Sequence, residues 1–152
     1  MYKYCLHPLE MIVEAKGRNL PISRKHSVEV ARFIRGKKLK DVLRILDEIQ
    51  ELKTPIKLTK HNRGVAHKSK VGPGRYPVKV AQHIKKVILS AKANAEYKGI
   101  KNIDEAIVVV EANKGQTLPH GGRKIGTRRK ATHIFVKLII KENEKEEKGD
   151  VQ

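Results

Sequence analysis

The chain has 152 residues, no tryptophan and a single cysteine, Cys5. Its 34 Lys and Arg residues against 16 Asp and Glu residues give a net charge of +18, which favours anionic partners because such a charge repels itself in a free compact domain. The length predicts one domain, 1–152, with an aliphatic core. The lone cysteine excludes an internal disulfide, and no apolar run suits a signal peptide or a membrane span, so we expect a cytoplasmic protein.

The first half of the chain predicts one strand and two helices. Residues 11–16 alternate apolar and polar side chains, as in a half-buried strand. Ser23 is the expected N-cap of a helix over 24–35. A second helix is predicted over about 39–52, where apolar residues recur at helical spacing.

The second half predicts a long loop, a long helix and two strands. Periodicity stops over 53–75, where Gly72-Pro73-Gly74 signals a loop. The longest helix should span about 76–99, and two apolar runs, 107–110 and 134–140, are typical of strands. This order predicts an α+β fold with three helices packed on a small three-stranded antiparallel sheet.

A long acid-free segment lies between Glu111 and Glu142. Its middle, about 113–131, is rich in Gly, Arg and Lys and has no core of its own. Because two strands flank it, we predict a long protruding β-hairpin arm. With about eight or nine residues per side at roughly 3.3 Å each, the arm would reach on the order of 25–30 Å. The Glu-rich tail, 142–152, is predicted to be flexible.

Catalytic and metal chemistry have little support in the sequence. No pair of carboxylates lies in a pocket-like context, so we predict no enzyme. Gly72-Pro73-Gly74 matches a dinucleotide fingerprint over too few residues, and no cofactor is predicted. His61 and His67 lack the further ligands that a zinc site needs, and Cys5 is distant, so no metal is predicted.

The basic residues predict a polyanion as partner. Both 53–75 and 113–131 carry many cations and no acid, whereas an ordinary solvated surface mixes both signs. Dense cations bind phosphates, and Arg adds bidentate contacts and stacking. Charge spread over loops, helices and an arm suits a body embedded in folded RNA. A free-standing nucleic-acid-binding regulator, using the 23–52 helix pair as a helix-turn-helix, is the alternative.

Six short motifs resemble one known family. They are Ile22-Ser23-Arg24-Lys25-His26, Arg35-Gly36-Lys37, His61-Asn62-Arg63, Gly74-Arg75-Tyr76-Pro77-Val78-Lys79, Asn94-Ala95-Glu96-Tyr97-Lys98-Gly99 and Thr132-His133-Ile134. In this order, over about 2–141, they resemble the universal large-subunit ribosomal protein family twenty-two, which is seventeen in the older eukaryotic naming. The start at Tyr4 to Pro8 and the insertion from His61 to Gly74 look like the archaeal and eukaryotic branch.

The resemblance implies a structural constituent of the large ribosomal subunit, without enzymatic activity. Its helical body would bind large-subunit rRNA, and its β-hairpin would line the polypeptide exit tunnel. The implied partners are rRNA, the nascent polypeptide and neighbouring large-subunit proteins, including protein four at the tunnel constriction.

The resemblance and the basic pattern together give the candidate site residues. The expected RNA contacts are Ser23, Arg24, Lys25, His26, Arg35, Lys37, Lys38, Lys57, Lys60, His61, Asn62, Arg63, His67, Lys68, Lys70, Gly74, Arg75, Tyr76, Lys79, Lys114, Arg123, Lys124, Gly126, Arg128, Arg129, Lys130 and His133. The expected tunnel-lining tip is Gln116, Thr117, Leu118, Pro119, His120, Gly121 and Gly122. The spacing from Arg123 to His133 is several residues short of the family pattern, which predicts a shortened tip.

Overall fold

The computed structural model describes residues 10–100 and 102–141. The expectations for Cys5 and for the tail, 142–152, lie outside these residues. In the part of the chain that is described, three α-helices combine with antiparallel sheets, as the composition and periodicity predict.

The three predicted helices are confirmed, with ends within about two residues of the expected positions. They are α1 (Arg24–Ile34), α2 (Leu39–Gln50) and α3 (Val78–Tyr97). Ser23 occupies the N-cap position of α1, but its side chain makes no capping hydrogen bond. Instead the Ser27 hydroxyl donates to the Ser23 carbonyl over 2.8 Å. The α1 backbone N–H groups therefore lack a capping side chain at Ser23.

Within the described residues, seven strands form two sheets. They are β1 (Glu10–Leu20), β2 (Lys37–Lys38), β3 (Ile56–Lys57), β4 (His67–Lys68), β5 (Gly72–Arg75), β6 (Ile107–Lys114) and β7 (Thr132–Lys141). The central sheet has the order β1-β7-β6-β2, and the smaller sheet has the order β3-β5-β4. Every strand pairing in them is antiparallel.

The predicted three-stranded central sheet is wrong by one strand. Gly36, at φ +80°, turns the chain after α1, and its N–H donates to the Val108 carbonyl over 2.9 Å. This turn lets Lys37 and Lys38 pair with Val108 and Ile107 of β6. Two adjacent lysines carry no apolar alternation, so periodicity gives no signal for this strand.

The prediction of a structureless loop over 53–75 is wrong in part, because three short stretches of this segment form the smaller sheet. β5 lies in the middle and pairs with β3 through Ile56↔Arg75 and with β4 through Lys68↔Gly72. Its sequence, Gly72-Pro73-Gly74-Arg75, has low strand propensity, which hides it from sequence patterns.

The helices pack on one face of the central sheet. Alternate residues of its strands, such as Val13, Val108 and Leu138, point into this core and are fully buried. Each such side chain contributes about 1.5–3 kcal/mol on burial. Gly17 of β1 brings α3 close, since a Cβ at that position would lie 2.8 Å from Cγ2 of Val87.

The arm differs from the regular hairpin that was predicted. The ladder of β6 and β7 ends at Lys114↔Thr132, which places Lys114 in the sheet rather than in the arm. Beyond it the described backbone contains one isolated bridge, Pro119↔Arg128, and a short 3₁₀ turn at Gly122–Lys124. Pro has no N–H to donate and the glycines have low strand propensity, so a continuous ladder is not favoured there.

The base of the arm is held by polar contacts. The buried Thr132 hydroxyl donates to the Ile22 carbonyl over 2.9 Å. The Asn19 N–H, from a residue at φ +50°, donates to Nδ1 of His133 over 3.1 Å. A Cβ on Gly115 would lie 3.0 Å from the Ala131 carbonyl carbon. The two strands leaving the sheet are thus fixed in position where the arm begins.

Candidate nucleic-acid interface

An open groove of about 480 Å³ lies where α1 and α3 begin. It is lined by Pro21, Ile22, Ser23, His26, Arg75, Tyr76, Pro77, Val78, Lys79, Val80 and Lys130. Three separated parts of the sequence therefore meet here: the start of α1, the β5–α3 junction and the end of the arm. The lining contains four basic side chains and no acid.

Both helix starts present positive dipole ends towards this region. Neither α1 nor α3 has an acidic residue in its first turn, and neither has a side-chain N-cap. The unpaired N–H groups of a helix start attract anions, and a carboxylate would neutralise that attraction. The helix starts thus add to the positive potential of the groove.

The pKa of His26 is affected by the cations that surround the groove. Burial is the main cause that lowers its pKa, and the charges of Arg75 and Lys130 add to the effect, followed by those of His61 and Lys25. These groups come from α1, the smaller sheet and the arm. A phosphate placed among them would relieve their mutual repulsion.

A buried carboxylate holds the basic segment that contains His61. Glu29 of α1 is 3% exposed and accepts hydrogen bonds from the N–H of Lys60 over 2.8 Å and from the N–H of Thr59 over 3.2 Å. The Thr59 hydroxyl also lies 3.0 Å from Glu29 Oε2 and accepts a bond from Arg32 over 2.7 Å.

The hydrogen bonds decide the charge state of Glu29. Burial opposes ionisation of this carboxyl, but the bonds from the Lys60 and Thr59 N–H groups and the Thr59 hydroxyl outweigh it, so its pKa is lowered. Glu29 thus remains an acceptor that orients the chain just before His61. Glu29, Thr59 and Arg32 were missed by sequence reasoning, because a lone acid on a helix gives no signal before its partners are known.

The smaller sheet presents further cations around Tyr76. The Lys68 ammonium lies 5.5 Å from the Tyr76 ring centroid, in cation–π range. Gly74 is buried, and a Cβ there would lie 3.3 Å from the Lys68 side chain. The other predicted contacts of this region are exposed: Lys57, Lys60, His61, Asn62, Arg63, His67, Lys68, Lys70 and Arg75.

The arm carries exposed cations on a folded-back chain. The His120 N–H donates to the Thr127 carbonyl over 2.9 Å, and the Arg129 N–H donates to the Leu118 carbonyl over 2.8 Å. Nε of Arg129 donates to Nδ1 of His120 over 3.3 Å. Arg123, Arg128, Arg129 and Lys130 are exposed, as are Gly121 and Gly122 at the turn.

Some predicted RNA contacts have partners inside the protein. Arg35 donates to the Val110 carbonyl over 3.3 Å, and the Lys37 ammonium lies 4.3 Å from the Phe33 ring centroid. Lys38 lies 3.6 Å from Glu105, with both side chains more than half exposed, so this ion pair adds little stability. These three basic residues lie on or beside the β2 edge and not in the groove.

Two features of the described residues concern metal binding and membrane crossing. Within residues 10–100 and 102–141, no three His, Cys, Asp or Glu side chains are grouped as metal ligands would be. None of the described helices is long and apolar enough to cross a membrane.

Comparison with known proteins identifies the family. The model of the ribosomal protein L22p/L17e family matches residues 15–138, which include both helix starts, the smaller sheet and the arm. The chain belongs to this family. The resemblance noted in its motifs is thereby confirmed.

Similar proteins come from archaea. Large ribosomal subunit protein uL22 of Methanocaldococcus jannaschii is 42% identical over 120 residues, which cover 77% of this chain and 76% of the relative. The uL22 protein of Archaeoglobus fulgidus is 41% identical over 108 residues, or 69% and 70% of the two chains. That of Methanosphaera stadtmanae is 37% identical over 145 residues, or 90% and 94%.

Proposed function

We propose that this chain is a structural constituent of the large ribosomal subunit that binds rRNA through its basic surface and works in the cytoplasm. The observation that carries the proposal is the meeting of His26, Arg75 and Lys130 at one acid-free groove, in a chain of the L22p/L17e family. The relatives named above are large-subunit proteins, which supports the same assignment.

The interface would bind folded RNA over several surfaces at once. The groove, the exposed cations of the smaller sheet and those of the arm lie on different elements, so they suit separate rRNA strands. With about eight phosphates neutralised, rRNA affinity should fall by roughly three to five decades between 50 and 200 mM salt. Affinity that is independent of salt would contradict phosphate binding.

The arm, 115–131, would extend into the exit tunnel as a hairpin-like loop that contributes cations to the tunnel wall. Its acid-free sequence and its exposed Arg and Lys side chains support this role. There it would face the nascent polypeptide and meet neighbouring proteins of the subunit, including protein four. RNA contacts would then add to the isolated bridge at Pro119 and to the backbone hydrogen bonds of His120 and Arg129 in holding this segment.

The helix-turn-helix alternative is less well supported. The connector between α1 and α2 is a strand of the central sheet, and the apolar side of α2 is buried in the core. The other side of α2 carries Asp41 and Glu48, each in an ion pair with Arg44, and acidic groups there would repel DNA phosphates.

Fractionation of cell lysate in moderate salt tests the assignment. The chain should sediment with large subunits, and recovery only in light, ribosome-free fractions would overturn it. Deletion of 116–129 then separates the two hypotheses. If the protein lines the tunnel, the deletion variant should keep its affinity for rRNA through the body but should alter subunit assembly or tunnel shape. If it is a regulator that reads a DNA groove, the deletion variant should keep its affinity for its target and should leave subunit assembly unchanged.

A further inference from the structure

The groove between the starts of α1 and α3 combines two kinds of surface. Its floor is apolar and includes Ile22, Pro77 and Val80, and its rim carries His26, Arg75, Lys79 and Lys130. A surface that only follows an RNA backbone needs the cations and not the apolar concavity. The apolar floor therefore requires a second explanation.

The size and shape of the groove restrict its occupant. Its volume of about 480 Å³ lies within the range of roughly 300–1,000 Å³ that is usual for small-ligand pockets. Two side chains of its floor are packed into the hydrophobic core: Val80 is 4% exposed and Ile22 is 2% exposed. The apolar floor is thus preformed, whereas Arg75, Lys79 and Lys130 are exposed.

The chemistry of the lining favours an anion with a flat apolar body. All charged groups of the lining are basic, so they favour a ligand whose anionic group faces the rim. The Tyr76 ring adds an aromatic surface, held beside Lys68 at 5.5 Å. Unstacked RNA bases are bound in this way, with the base on aromatic or apolar groups and the phosphate on cations.

We infer that this groove binds one unstacked nucleotide of rRNA, with the base on the apolar floor and its phosphate among Arg75, Lys130 and His26. This inference rests on the proposed rRNA binding and adds to it a specific recessed subsite. The position of Lys130 makes the end of the arm part of that subsite. Nucleotide binding there would therefore also fix the direction in which the arm leaves the body.

Groove-filling substitutions test the inference on the full chain. Val78→Phe fills the groove from α3 and Ser23→Leu narrows it from α1, while neither removes a cation. Ala93→Phe, an exposed position on α3 outside the groove, is the matched control. Lys130→Gln removes one rim charge. Affinity for a transcript of the same organism's large-subunit rRNA is measured for each over a salt series, with circular dichroism as the check of folding.

The filling variants should bind about tenfold more weakly at each salt concentration, because base stacking is lost, and their salt slope should be unchanged. Lys130→Gln should instead reduce the slope by about 0.7–0.9. Filling variants that bind like Ala93→Phe, or that lose slope as Lys130→Gln does, would overturn the subsite. Absence of binding by the unmodified chain would instead refute the proposed function itself.

A direct titration needs no variant. The methyl NMR signals of Val78 and Val80 are followed while the unmodified chain is titrated with uridine or adenosine 5′-monophosphate, and separately with inorganic phosphate. The mononucleotides should shift these signals more than phosphate does. Equal shifts from phosphate, or no shift from any of the three, would show that no base enters the groove.

Discussion

Replacement of Glu29 by Ala should destabilise the protein and loosen the segment that carries His61. The mutation removes the acceptor for two backbone N–H groups, those of Thr59 and Lys60. Hydrogen bonds to a charged acceptor are worth about 1.5–3 kcal/mol each, but both donors lie in exposed residues that water can reach, so we expect a total loss of about 2–3 kcal/mol.

The size of the loss sets the assay. For a chain of this length about 1 kcal/mol lowers Tm by roughly 2–4 °C, so Glu29→Ala should lower Tm by about 5–10 °C. Glu29→Gln keeps one acceptor oxygen and should lose about half as much. Glu111→Ala, an exposed acid on β6, controls for the change in net charge. Thermal unfolding followed by circular dichroism at neutral pH measures all three.

Two further readouts test the reasoning. Amide hydrogen exchange of Thr59 and Lys60 should accelerate in Glu29→Ala, whereas exchange in the central sheet should change only with global stability. Because the folded-state pKa of Glu29 is lowered, its contribution is present above the ordinary value of 4.5 and is lost as pH falls through the folded pKa. Substitutions at exposed positions usually change the free energy of unfolding by no more than about 0.5 kcal/mol. If Glu29→Ala and Glu111→Ala differ in that free energy by less than this amount, the anchoring role is refuted.

Three other predictions concern the groove and the arm. The pKa of His26 is lowered in the folded protein, so protonation of His26 reduces folding stability as pH falls below its ordinary value of 6.5. A bound phosphate should favour the protonated imidazole, so rRNA affinity should rise on acidification and should rise less in His26→Gln. Gly115→Ala should cost about 1–3 kcal/mol by crowding the Ala131 backbone, seen as a lower Tm; an unchanged Tm would refute the close approach. Thr132→Val should cost about 1–3 kcal/mol by leaving the Ile22 carbonyl unpaired, and a denaturant midpoint equal to that of the unmodified chain would contradict it.

The sequence alone determined the main elements and the chemistry of the partner. Apolar spacing along α2 and α3 fixed two helices, because burial of one helical face requires that period. The apolar runs 107–110 and 134–140 fixed the paired strands β6 and β7 for the corresponding reason. Segments with many cations and no acid predict a polyanion directly, since electrostatic attraction depends on charge density more than on fold.

Only the tertiary structure decided which of these cations act together. Lys130 and His26 are far apart in sequence, and they meet because β7 returns beside β1 and brings the end of the arm to the start of α1. Lys38, by contrast, lies at the β2 edge beside Glu105. No local pattern distinguishes the two lysines, because the difference is made by long-range strand pairing.

The same limit applies to the smaller sheet and to Glu29. Strand β5 has Gly and Pro where strand propensity is low, and it forms because β3 and β4 supply partners on both sides. Glu29, the lone acid of α1, holds the segment before His61 because it accepts hydrogen bonds from backbone N–H groups 30 and 31 residues away. Local sequence determines which segments fold and what they attract, whereas distant pairing determines which side chains share one site.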